Sequence, residues 1–391
     1  MRVAFYAPLK APDHPVPSGD RRMARAFAGL LASLGHEVEL ACRFRSYDRE
    51  GDPIRQQRLA ALGGRLAEAL IRRYLRRPPA QRPRLWFTYH LYHKAPDWLG
   101  PVVGRILGIP YVVAEGSIAG KQAAGLWAAG HAASRRAIGQ ADAVLAMTAT
   151  DVPGLATAIV DQSRLHLFPP FIAPQPYVAA SARRAVERRK LAGAHGLDLE
   201  CPWLLAVAMM RADVKLESYR LLARALADVT DLGWQLLLVG DGEARDEVAA
   251  AFASLGERVR RIGMRTAADL PEIYAAADLY VWPACREAYG MALLEAQAAG
   301  VPVVAGNEGG VADIVVAGET GLLVEPRAPS ALAAAIRTLL LDPDRRRALG
   351  TAAQVRVRTW HGEDVARARL AHVLAELMPA SSNGEQPCAS A

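Results

Sequence analysis

The sequence is short of lysine, cysteine and long apolar runs, and each shortage narrows what the chain can be. Of its 47 basic residues only 5 are lysines, at positions 10, 94, 121, 190 and 215, so any lysine inside a motif is unlikely to be filler. The four cysteines, Cys42, Cys201, Cys285 and Cys388, stand far apart. They lack the paired spacing of a zinc site or a disulfide framework, and free thiols in a reducing compartment are expected. No apolar stretch reaches the roughly 20 residues of a membrane-spanning helix. Residues 1–6 run straight into a strand pattern without the features of a signal peptide, so the expected address is cytoplasmic. No Gly-x-Gly-x-x-Gly follows that first strand, where residues 7–10 read Ala-Pro-Leu-Lys, and this argues against a nicotinamide-dependent dehydrogenase.

What is present is a globular composition, 52% hydrophobic and 22% charged, on 391 residues. One hydrophobic core stops growing at roughly 250–300 residues, so two domains are expected. Their charges differ. Residues 1–180 carry 23 Lys and Arg against 13 Asp and Glu, whereas residues 181–391 carry 24 against 27. Much of the first excess lies in residues 55–84, where seven arginines from Arg55 to Arg77 are threaded among Leu59, Leu62, Leu66, Leu70 and Ile71. That spacing reads as a basic amphipathic helix suited to an anionic membrane surface, or as a solvated helix face. Nucleic acid is not expected, because no recognition motif accompanies the charge.

Short apolar runs alternate with helix-period stretches throughout. Strands are expected at residues 3–7, 38–41, 85–88, 111–114, 143–146 and 165–168, and again at 203–207, 235–239, 259–262, 279–282 and 301–305, with helices such as 21–34 and 95–107 between them. Such alternation gives parallel sheets covered by helices on both faces, hence an α/β chain of two doubly wound, Rossmann-like domains. The prolines at 169, 170, 174 and 176 mark the division. The expected domains are 1–170, a linker 171–200, and 201–360. A helix 361–379 is expected to pack back on the first domain, before a disordered tail 380–391.

The densest chemical signal is Glu287-Ala288-Tyr289-Gly290-Met291-Ala292-Leu293-Leu294-Glu295-Ala296, followed by Gly300-Val301-Pro302-Val303-Val304-Ala305. It reads as loop, helix and strand. Free amides at the helix start and the positive end of its dipole suit a phosphate. A carboxylate beside such a site can accept from paired hydroxyls, as with ribose in dinucleotide folds.

This block resembles the signature of glycosyltransferase family 4, retaining transferases of the GT-B fold in which two domains face across a cleft. The resemblance implies a hexose-type sugar moved from a nucleotide diphosphate sugar, UDP- or GDP-linked, to a glycan or lipid-linked acceptor. Glu287 would then hold sugar hydroxyls and Glu295 the ribose, with Tyr289, Gly290, Met291 and Ala292 lining the donor. Arg211 and Lys215, in Arg211-Ala212-Asp213-Val214-Lys215, resemble the pair that clamps the donor diphosphate, although the stretch is one residue short and Leu216 stands where a glycine is usual. Two cations there offset the charge growing on the leaving nucleotide, so neither metal nor cofactor is expected. Gly240, in Val239-Gly240-Asp241-Gly242, permits close approach of a nucleotide, and Ile262, Gly263 and Met264 would meet the base through their backbone. In the first domain Ser18-Gly19 resembles a Gly-Gly loop with one glycine replaced, which makes Gly19 the candidate. His90, or else His93, matches a histidine near donor sugar and acceptor, and Glu115 ends the next strand. Two rivals remain open: a nucleotide-sugar epimerase of the same fold and a non-catalytic nucleotide-sugar binding protein.

Overall fold

The computed structural model describes residues 1–16 and 18–378. The tail expected at 380–391, with Cys388, lies outside the described residues. The other three cysteines are free thiols.

Twelve strands are described: β1 (Arg2–Tyr6), β2 (Glu37–Cys42), β3 (Leu85–Leu91), β4 (Tyr111–Gly116), β5 (Ala143–Ala146), β6 (Leu165–Leu167), β7 (Trp203–Val207), β8 (Gln235–Val239), β9 (Val259–Gly263), β10 (Leu279–Trp282), β11 (Val303–Gly306) and β12 (Gly321–Val324). They form two sheets of six, in the orders β2-β1-β3-β4-β5-β6 and β12-β11-β10-β7-β8-β9, with every named pairing parallel. Strands such as Val3-Ala4-Phe5-Tyr6 and Leu236-Leu237-Leu238-Val239 are buried along their whole length. That is why they read as unbroken apolar runs and not as alternations. Each sheet is doubly wound, as expected. Strand order reverses between β1 and β3 in the first sheet and between β7 and β10 in the second. In open α/β sheets ligands bind beyond the carboxyl ends of the strands at such reversals.

The chain divides into two compact units. The first holds residues 1–147, 151–168 and the described chain from Ala366; the second holds 148–150 and 169–365. Each has its own apolar cluster. Within the second unit Ile172 donates its amide to the carbonyl of His361 and accepts from Glu363, both at 2.9 Å.

Several local expectations need correction. Residues 171–200 are not a linker but two helices, Gln175–Ser181 and Arg184–His195, belonging to the second unit. Their basic residues are docking groups: Arg184 and Arg188 each reach Asp278 at 2.8 Å, and the Arg188 guanidinium lies 4.0 Å over the Trp203 ring. The helix expected from residue 95 begins at Gly100. Buried Asp97 accepts from the amides of Leu99 and Gly100, from the Thr88 hydroxyl and from the Tyr111 phenol, which fixes the preceding residues as a cap. The edge strand β12, short and opened by glycine, has no expected counterpart. The helix read into 55–84 runs from Pro53 to Leu75, and it buries Ala67, Leu70, Ile71 and Tyr74. Much of its apolar stripe is therefore spent on packing, while Ile54, Leu62 and Leu75 stay exposed among the arginines. Among the described residues no helix is long and apolar enough to cross a membrane.

Candidate functional site

In the second unit two loops meet at the reversal of strand order. After β7 the chain runs to Asp213, whose carboxylate accepts from the Lys215 amide and caps the helix Val214–Ala227. Lys215 thus sits in the first turn, and its Nζ lies 2.5 Å from Glu287 Oε2 in the loop after β10. Both side chains are about one-sixth exposed, 16% and 17%, so the pair is neither sealed nor freely solvated. Indole closes it from one side: Trp282 Nε1 lies 3.4 Å from the same carboxylate oxygen, and Lys215 Nζ lies 5.5 Å from the ring. Arg211 turns instead to Asp213 at 3.1 Å and is well exposed. The structure therefore joins Lys215 to Glu287 and leaves Arg211 one short loop away.

The loop that carries Glu287 is strained. Ala284 and Arg286 have φ of +57° and +47°, and Gly290 has φ of +80°. Non-glycine residues hold such angles only where the surroundings over-determine them. Here the surroundings are the Ser218 hydroxyl, which accepts from the Cys285 amide, and the segment after β11. Gly310 donates to the Ala288 carbonyl at 2.8 Å, and a Cβ on Gly309 would lie 1.9 Å from the Glu287 carbonyl oxygen. Gly290 then opens the helix Met291–Ala298 without any side-chain cap. Its first amides and its dipole are left for an anion beside Lys215.

Of the remaining donor candidates, most lie at or just beyond the carboxyl ends of β8, β9 and β10. Gly240 has φ of +145° and lies against the turn after β7, where a Cβ would meet the Ala208 carbonyl at 1.9 Å. Ile262 is buried, Gly263 is left-handed at φ +72°, and the Met264 side chain is 75% exposed. Tyr289 is buried at the mouth of the helix, whose partly buried first residues are Met291 and Ala292. Glu295, expected at the ribose, is 2% exposed one turn further along.

The first unit gathers a different set at its own reversal. Ser18 is the N-cap of the helix Gly19–Ser33, accepting from the Arg21 amide at 3.2 Å, which explains a serine where a second glycine was looked for. A Cβ on Gly19 would meet nothing within 4 Å. His90, near the end of β3, places Nδ1 3.1 Å from Asp20 and 3.5 Å from Glu115. His90 and Glu115 both sit at φ +58°. Burial opposes a charge on His90, yet the Glu115 and Asp20 carboxylates outweigh it and push the imidazole up to about 9. Burial raises Glu115, while the hydrogen bond and charge of His90 hold Asp20 below the usual carboxylate range against its own burial. His93 faces elsewhere, edge-on to Trp127. Between the two histidines the geometry thus groups His90 with the carboxylates. Asp20 was missed as a site residue, and its only signal in sequence was its place beside Gly19 at a helix start. Gly309 and Gly310 were missed as well, although a paired glycine after a strand is a readable cue for close backbone approach.

The chain is similar to several known proteins. Residues 206–356 match the family model described as "Glycosyl transferases group 1". A D-inositol 3-phosphate glycosyltransferase of Thermobispora bispora is 34% identical over 210 residues, 50% of this chain and 47% of that protein. A GDP-mannose-dependent alpha-(1-6)-phosphatidylinositol monomannoside mannosyltransferase of Mycobacterium tuberculosis is 36% identical over 152 residues, 36% of this chain and 39% of the relative. The chain thus matches less than half the length of these relatives. Among solved structures, the sucrose-phosphate synthase of Thermosynechococcus elongatus superposes with a TM-score of 0.74 at 22% identity, covering 97% of this chain and 100% of the other. Anabaena HepE in complex with UDP and glucose gives 0.70 at 18% identity, covering 96% and 99%. The fold is shared from end to end with these solved structures, and residues 206–356 are similar to the group 1 glycosyl transferases.

Proposed function

We propose that the chain is a retaining glycosyltransferase that moves a hexose-type sugar from a UDP- or GDP-linked donor to the hydroxyl of a glycan or lipid-linked acceptor. The observation that carries this reading is the Lys215–Glu287 pair beside the uncapped helix start at Gly290, at the reversal of strand order in the second sheet. A diphosphate placed there meets an ammonium, a helix dipole and free amides, with Arg211 near enough to swing from Asp213. These groups offset the negative charge that grows as the bond from the anomeric carbon to the diphosphate breaks, so the reaction needs no metal. The acceptor oxygen attacks the same face that the diphosphate leaves, and its proton passes to the departing phosphate oxygen. Glu287 holds sugar hydroxyls and fixes the reacting geometry, while Glu295, deeper on the helix, is assigned to the ribose. Backbone of residues 262–264 is assigned to the base, and Gly240 and Gly19 let the main chain approach the nucleotide and its phosphates. His90 is assigned to the donor sugar and acceptor, where it brings a positive charge at neutral pH.

The relatives' names support a nucleotide-sugar donor, since one is GDP-mannose-dependent and HepE was crystallised with UDP and glucose. The exposed arginines of the helix Pro53–Leu75 add electrostatic attraction to an anionic membrane surface, compatible with a cytoplasmic protein working at the inner face. A thermal-shift panel of nucleotide-sugars tests the reading directly, because a ligand of the folded state alone must raise Tm. One UDP- or GDP-sugar should do so, and the rise should vanish in Lys215→Ala. A panel without any shift would refute it.

A further inference from the structure

The loops that follow β3 and β4 in the first unit gather a second group of cations, three residues beyond His90. Lys94 Nζ lies 4.3 Å from the Trp127 ring centroid, and the His93 ring stands edge-on to the same indole at 5.8 Å. Gly130, near the start of the helix Ala128–Gln140, is pressed so closely on this turn that a Cβ would fall 2.0 Å from the His93 carbonyl oxygen. The next residue, His131, is 7% exposed, and its Nε2 has no hydrogen-bond partner. The scaffold beneath is fixed. Buried Gln56 donates to the Leu126 carbonyl and accepts from the Gly130 amide, and Trp127 Nε1 donates to the Asp48 carbonyl.

The charge here is one-sided. Burial pushes His93 down to about 4, and the charges of Lys94, His131 and Lys121 add to it in that order, with no carboxylate acting against them. His93 is therefore a neutral ring with an N–H to offer, set among ammonium groups. The nearby carboxylate, Asp48, is turned to Arg55 at 3.8 Å and to the Glu50 amide. Lys94 and Lys121 are two of only five lysines in the chain, and neither makes an ion pair among the described residues. Concentrating unpaired cations costs folding free energy through self-repulsion, a cost that an anionic ligand removes. Ammonium groups and an imidazole N–H are donors suited to a phosphoryl group, and the Trp127 ring, with Lys94 over it, fixes where that ammonium stands.

We propose that His93, Lys94 and Lys121 form a phosphoryl-binding site beside Trp127, and that it holds the phosphate of a phosphorylated acceptor whose hydroxyl is presented near His90. The acceptor role rests on the glycosyltransferase reading above; the anion site does not. Its phosphate comes either from a free sugar or polyol phosphate or from a phospholipid headgroup.

Binding is best measured in full-length Lys215→Ala, so that the donor site's own anion affinity is removed. Inositol phosphate is compared with plain inositol by calorimetry. Vesicles of phosphatidylcholine with and without phosphatidylinositol are compared by flotation. We expect the phosphorylated ligand of one arm to bind at least about tenfold more tightly than its unphosphorylated partner. A Lys94→Gln/Lys121→Gln double variant should lose that preference, while His93→Gln should weaken it less. Preference in the calorimetric arm identifies a free phosphate ester, and preference only for vesicles, lost in the double variant, identifies the lipid. Equal binding of phosphorylated and plain ligands in both arms overturns the site, as does a folded double variant that keeps the preference. Nucleotide-sugar thermal shifts in the Lys94→Gln/Lys121→Gln variant carrying native Lys215 report the donor site separately.

Discussion

The two units solve the same placement problem with different materials. Each brings two loops together where its parallel sheet reverses, and each holds backbone in the left-handed region there. In the second unit the loops are locked by main-chain contacts: Gly309 against the Glu287 carbonyl, Gly240 against Ala208 and the Gly310 amide on Ala288. In the first, the lock is electrostatic, with His90 held between Asp20 and Glu115. A site built on glycine contacts leaves a readable local pattern, whereas a charge cluster assembled from residues far apart in sequence leaves almost none. The family match accordingly falls within the second unit.

This comparison can be broken most forcefully at the ion pair. Glu287→Gln and Lys215→Ala should each lower transfer by about 10²–10³-fold, as removal of a preorganised charge-stabilising group does. Initial rates measured beside circular dichroism would separate this from unfolding; a variant that keeps more than half its rate would remove the pair from the chemistry.

A smaller effect should come from the glycine lock. Gly309→Ala must move the Glu287 carbonyl and adopt φ of +67°, so we expect about a 10–100-fold loss of rate and a Tm lower by several degrees. Gly19→Ala, with open space around its Cβ, should leave Tm unchanged, so that any kinetic effect is confined to donor binding. Equal destabilisation of the two variants would erase the contrast between the units.

The electrostatic lock should show itself in pH dependence. His90 is raised from an ordinary value near 6.5 to about 9, so it binds more protons folded than unfolded between those limits. Its contribution to stability is fully present below about 6.5 and is lost as pH climbs through about 9. Melting temperatures of the native chain should therefore decline across that window more steeply than those of His90→Gln, and parallel curves would disprove the assignment.

The smallest expected change concerns Arg327, which bridges Glu217 at 2.8 Å and Glu308 at 3.0 Å, tying the Lys215 helix to the segment that braces Glu287. Exposed pairs contribute little, so Arg327→Ala should raise the donor KM by only about two- to threefold and leave kcat nearly intact. Steady-state kinetics with Arg327→Lys as the rescue would test it.

Much of this architecture could be read from residue order. Leu236-Leu237-Leu238 and Ala143-Val144-Leu145 announce buried parallel strands because no polar residue interrupts them, and the Glu287–Glu295 block shows its loop, helix and strand locally. Legibility fails where a residue's role depends on a distant partner. The arginines at 184 and 188 look like a solvated linker until Asp278, some 90 positions later, is seen to receive them. Asp97 hides a cap behind proline and tryptophan, and its partners Thr88 and Tyr111 come from two different strands. The apolar stripe of residues 53–75 was visible, but whether core or lipid would cover it was not, since both ask for the same spacing. Left-handed geometry at His90 and Glu115 is equally silent, because neither residue type advertises it.

The first unit is not one continuous stretch of chain. It recruits the residues from Ala366 onward, including the buried Leu370, Val373 and Leu374, after the whole second unit has intervened. During synthesis, then, the strands of the first sheet are made before the whole second unit, and the segment that completes their unit only after it. A fragment ending at residue 365 should therefore keep all six strands of the first sheet and the whole second unit, yet melt at a lower temperature in the first unit for want of its closing segment.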